Sequence, residues 1–155
     1  MTSTITSSSL TVTITEAITL NGYDQGSQNA ATIGSIANVF KRIITVPTSE
    51  VNLVTNHASN VAGNTFDEDF VKYVRITNKD DTNYVDLIVA NSEADEFALR
   101  LKAGTSCIFW DQNDMLNCDN AAVTPGAGME GIASVNAIAN TAPVDLEVFV
   151  ASTNA

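Results

Sequence analysis

Cations are scarce in this chain: seven lysines and arginines stand against 18 aspartates and glutamates in 155 residues, a formal net charge of −11. Phosphate binding needs a patch of Lys and Arg, so this balance speaks against a nucleic-acid partner. Attachment to an anionic lipid surface fails for the same reason. Charge of either sign is sparse, at 16% of residues against the usual quarter. No apolar run approaches the roughly 20 residues needed to cross a bilayer. The opening MTSTITSSSL has neither a basic segment nor an apolar one, so it does not read as a secretory signal, and synthesis in a cytoplasm is expected. Histidine occurs once, at His57, in the loop-like setting Asn56-His57-Ala58-Ser59, where a surface side chain is expected. Any Ser-His-Asp or Cys-His arrangement would have to be built around it. G-x-S-x-G is absent, as is a glycine-rich phosphate loop. One histidine and two cysteines do not complete a tetrahedral zinc site without carboxylates. A non-enzymatic protein without a cofactor is the expectation.

Ser, Thr, Asn, Ala and Val fill the space left by charge, and hydrophobic residues make up 45%. The profile favours strands and turns, in one domain long enough to bury a core. The strongest pattern runs from Phe70 to Trp110. Within Phe70–Thr77, alternation puts Phe70, Val74 and Ile76 on one face and Val71, Tyr73 and Arg75 on the other. Residues 78–83 are turn formers, whose short polar side chains bond back to their own backbone. Val85, Leu87 and Val89 then share a face, as do Phe97, Leu99 and Leu101, and Ser106–Trp110 is a short apolar run. Four strands joined by polar turns predict an antiparallel meander.

Upstream, Leu10–Leu20 alternates Val12, Ile14, Ile18 and Leu20 against threonines, interrupted by Glu16, and ends at the hairpin signal Asn21-Gly22. Tyr23–Asn29 reads as loop. Ala30–Phe40 is ambiguous: Ile33, Ile36, Ala37 and Phe40 have helical spacing, yet Thr32, Gly34 and Asn38 are poor helix formers. Strand or irregular structure is the first reading and a short helix the alternative. Lys41–Val46 and Val51–Thr55 read as strands and Ala58–Asp69 as a loop. Downstream, 111–131 is a long polar loop, followed by strands over Ile132–Ala139 and Val144–Ala151. About nine or ten short strands at this spacing predict an all-β chain: one antiparallel β-sandwich over 10–155, jelly-roll-like, with residues 1–9 as an amino-terminal arm.

Several side chains are candidates for binding. Asp111, Asn113, Asp114, Asn117 and Asp119 crowd the long loop and are oxygen donors of the kind calcium takes, without matching an EF-hand. Solvated loop carboxylates are the plainer reading, so no metal is expected. Loops longer than about 12 residues are often functional or interface-forming. Thr2, Thr4 and Ile5 of the arm and Met115, Leu116 and Met129 of the loop are therefore the expected contacts between subunits. Cys107 is expected to pack as a small hydrophobe; a bridge to Cys118 across the intervening loop is the alternative. Trp110 with Tyr23, Tyr73 and Tyr84 would suit a sugar-stacking platform, although Trp110 ends an apolar strand and is expected in the core.

Tyr73-Val74-Arg75-Ile76-Thr77-Asn78, Asp81-Thr82-Asn83-Tyr84-Val85 and the run Asp95–Ser106 (DEFALRLKAGTS) resemble segments of small structural proteins of tailed bacteriophages, particularly marine ones. TVTITEAITLNGYDQG and KRIITVP fit the same resemblance. It implies a virion component, in the tail, at a fibre base or on the capsid surface, whose partners are copies of itself and other virion proteins. A carbohydrate-binding, lectin-like module that meets a host-surface glycan is the alternative.

Overall fold

Alternating valines, isoleucines and threonines generate strands along most of the described residues. The computed structural model describes residues 6–57, 65–67, 70–91, 95–110 and 132–153. Among these there are twelve strands and no helix: β1 (Ser8–Glu16), β2 (Thr19–Leu20), β3 (Tyr23–Asp24), β4 (Ser27–Val46), β5 (Val51–His57), β6 (Thr65–Asp67), β7 (Val71–Asn78), β8 (Val85–Ala90), β9 (Glu96–Leu101), β10 (Ser106–Trp110), β11 (Ser134–Ala139) and β12 (Val144–Thr153). They form two five-stranded sheets, ordered β1-β4-β12-β7-β10 and β6-β5-β11-β8-β9, and the small hairpin β2-β3. The expected all-β sandwich is present.

The sheets have a common origin. Strand β9 pairs with β8, β10 with β7, β11 with β5 and β12 with β4, all antiparallel. The chain thus doubles into one long ribbon, with legs β4-β5-β7-β8 and β9-β10-β11-β12. Pairing of β12 with β7 and of β11 with β8 closes the wound ribbon into two layers. At the corners, backbone bonds extend the ladders: the Ala139 N–H reaches the Pro47 carbonyl (3.0 Å) from one sheet to the other, and the Lys79 N–H donates to the Asp145 carbonyl (2.9 Å) within the first sheet.

Between the layers lies the main core. Val144, Leu146, Val148 and Val150 of β12 are fully buried, opposite Val85, Leu87 and Val89 of β8, as the period of two predicts. At the edge strand β9 burial fades: Leu101 is buried, Leu99 partly so and Phe97 exposed, where all three were expected inside.

Three expectations are corrected. Tyr23–Asn29 is not a loop, because β3 occupies its start and β4 begins at Ser27. Ala30–Phe40 is strand throughout, as its first reading had it, and the helical spacing has another cause. Leu10 faces Ile33 and Ser8 faces Ile36, so Gly34 and Ser35 together stand opposite Ser9 alone. This β-bulge puts Ile33 and Ile36 into one cluster, three residues apart. In the same way Ser152 faces Val71 and Ala151 faces Tyr73, so Lys72 is the extra residue of β7. Val71 therefore joins Val74 and Ile76 in the core, while Tyr73 faces the other way. Residues 65–67, expected in a loop, form β6, which runs parallel to β5.

Candidate interaction surface

Strand β4 is 20 residues long and serves two neighbours: β1 pairs with 27–36 and β12 with 36–46. The bulge between them carries Ser35 at φ 60°, a left-handed backbone rare outside glycine. Past this bend, β1 and the first half of β4 lie as a ribbon against the outer face of the first sheet. Leu10, Val12, Ile33 and Ile36 there meet Tyr73, Phe149 and Ala151 in a second, smaller core. Tyr73 and Phe149 touch edge to face at 5.9 Å, and burial pushes the Tyr73 hydroxyl pKa up.

The apolar face of the ribbon is longer than the surface beneath it. Exposure climbs from 9% at Val12 to 47% at Ile14 and 73% at Tyr23, with Ile18 and Leu20 between. The tip turns at Asn21 (φ 50°) and Gly22 (φ 83°), the paired positive values of a type I′ hairpin. Leu20 pairs with Tyr23 across it, so the two side chains share a face. Gly26 is required by close approach, since an added Cβ would collide with the Glu16 carbonyl oxygen. The Glu16 carboxylate accepts the Ser27 hydroxyl, and Asp24 accepts the Gly26 N–H at 2.8 Å.

The outer face beside the ribbon mixes apolar and paired charged residues. Val39 and Ile43 are 59% and 63% exposed, and Ile108 is also exposed. Glu147 is held between Arg75 and Lys41, the latter at 3.5 Å, and the Arg75 hydrogen bond keeps its carboxyl below the usual range. Arg75 also reaches the Thr77 hydroxyl and lies over the Phe149 ring, 5.9 Å from its centroid. Asp145 accepts the Thr45 hydroxyl at 2.6 Å. Between ribbon and face runs a groove of about 300 Å³, lined by β1 from Leu10 to Ile14 and by Tyr73, Arg75, Ile108 and Phe149.

Asp111, Asn113, Asp114, Asn117 and Asp119 are outside the described residues, as are Thr2, Thr4, Ile5, Met115, Leu116 and Met129. β1 starts at Ser8, two residues before the expected Leu10. Cys107 is half-buried in β10 with its thiol pKa pushed up by burial, and Cys118 is outside the described residues. His57 and Trp110 close β5 and β10. Among the described residues, no group of three or more His, Cys, Asp or Glu side chains is placed to hold a metal ion. Sequence reasoning missed the exposure of Ile14, Ile18 and Leu20, which it set on the apolar face of a strand with a bulge or edge at Glu16. Their signal was Glu16, which interrupts that face where the cover ends. Compared with protein-family models, curated proteins and solved structures, the chain matches none.

Proposed function

We propose that the chain is a non-enzymatic structural protein of a tailed-bacteriophage virion, acting by assembly with copies of itself and with other virion proteins. The observation that carries this reading is the ribbon whose apolar face overhangs its own support, leaving Ile18, Leu20 and Tyr23 in water. An isolated two-stranded hairpin is marginal in water, and exposed apolar patches mark contact sites. We further infer that the sandwich is a jelly roll with an added amino-terminal strand. The support is the wound ribbon, which leaves sheet orders β4-β12-β7-β10 and β5-β11-β8-β9 once β1 and β6 are set aside. Jelly rolls are common among capsid and lectin domains, so fold and sequence resemblance point the same way, by analogy. Antibodies against the chain should label intact particles of the phage that encodes it; particles that carry none of the protein would end the virion reading.

The carbohydrate-binding alternative draws on the groove, where the Arg75 guanidinium and the rings of Tyr73 and Phe149 lie beside β1. A glycan screen, run with and without calcium, tests it. Binding abolished by Arg75→Ala would favour that reading over assembly.

A further inference from the structure

We propose that copies join head to tail: the ribbon tip of one chain, through Ile18, Leu20 and Tyr23, covers Val39 and Ile43 on the outer face of the next. This rests on the assembly reading and names its two surfaces. Both are strand surfaces left uncovered within one chain. They also continue an existing contact, since the base of the same ribbon already packs on the same face through Val12, Ile33 and Ile36. In the neighbour the contact repeats one step further out.

Charge selects this pairing over its rivals. Residues 1–40 contain no lysine, arginine or histidine, and the tip carries Glu16 and Asp24 alone. Two tips brought together would set acid against acid. The outer face instead balances Lys41 and Arg75 against Asp145 and Glu147, and the Lys41 side chain is 59% exposed beside Val39 and Ile43. On a chain of net charge −11, a locally neutral apolar face with an accessible ammonium is where an acidic tip can approach. A face-to-face pair would leave both tips in water. The contact uses two different patches, so it is heterologous and generates rings or filaments.

Complementation between two variants tests it. Ile18→Asp/Leu20→Asp destroys the tip and Val39→Asp/Ile43→Asp the face, all at exposed positions. Each variant alone should have the mass of a single chain, and an equimolar mixture should form a two-chain species and nothing larger, because one intact tip meets one intact face. Should either aspartate pair lower the melting midpoint, Ile18→Ser/Leu20→Ser and Val39→Thr/Ile43→Thr repeat the test. If the parent assembles but the tip variant assembles as well, or the mixture stays at single-chain mass, the head-to-tail contact is wrong and the assembly reading stands. If the parent itself stays a single chain at every concentration, both fall.

Discussion

Asn78 sits where β7 leaves the sheet, buried, with its side chain fully used. Its amide donates to the carbonyls of Asn83 (2.9 Å) and Leu101 (3.2 Å), and its side-chain oxygen accepts the Asp80 N–H (2.9 Å). Asn78→Ala strands these groups away from water and should cost about 1–3 kcal/mol, read as a lower urea midpoint. An alanine variant as stable as the parent would show that the corner does not depend on it. Next to it, Asp80 accepts the backbone N–H groups of Asn83 (2.6 Å) and Thr82 (2.7 Å), which hold its carboxyl below the usual range. The Arg100 hydrogen bond does the same to Asp86. A carboxyl with a lower pKa folded than unfolded adds stability above its unfolded value and loses it as pH falls through the folded one. The chain should therefore lose these contributions only below the ordinary carboxylate range. An NMR titration should place the Asp80 midpoint under that of a free aspartate, and a midpoint at or above it would contradict the assignment.

At the scale of the element, β4 decides the outer surface. Its bend at Gly34–Ser35 folds the β1–β4 ribbon onto the sheet, and Ser35 holds a left-handed φ of 60° to make it. Ser35→Val places a β-branched residue there and should destabilise the chain by about 1–2 kcal/mol, whereas Ser35→Gly should leave it as stable or more so. Thermal melts of both variants would show the opposite order if the bend were relaxed. This element also marks how far the sequence was legible. The period of two in β8 and β12 was readable because both strands lie in the sandwich interior, where one face is wholly covered. Ile33 and Ile36 mimicked a helix because a bulge, which is two residues against one, shifts the pattern by one and turns a period of two into three. Ile14, Ile18 and Leu20 alternated like a core strand except at Glu16. Apart from Glu16, nothing local distinguishes an apolar face with cover from one without, since cover depends on where the chain places Tyr73, Phe149 and Ala151. Val39, Ile43 and Ile108 were missed for the same reason.

At the scale of the whole molecule, two opposed terms govern assembly. Uncovered apolar side chains at the tip and outer face draw copies together, and a net charge of −11 on each holds them apart. Repulsion between whole molecules reaches about 30 Å at 0.01 M salt and about 8 Å at 0.15 M, so salt weakens it while leaving apolar contact intact. The pairing of Glu16 or Asp24 with Lys41 would weaken with salt too, but exposed ion pairs are worth little beside the apolar contact. Light scattering of the purified chain at these two salt concentrations tests the central claim most directly. Assembly through the ribbon and outer face predicts a mass well above the 16.4 kDa of one chain, larger at the higher salt. A mass of 16.4 kDa at both salts, over the full range of attainable concentration, would contradict it.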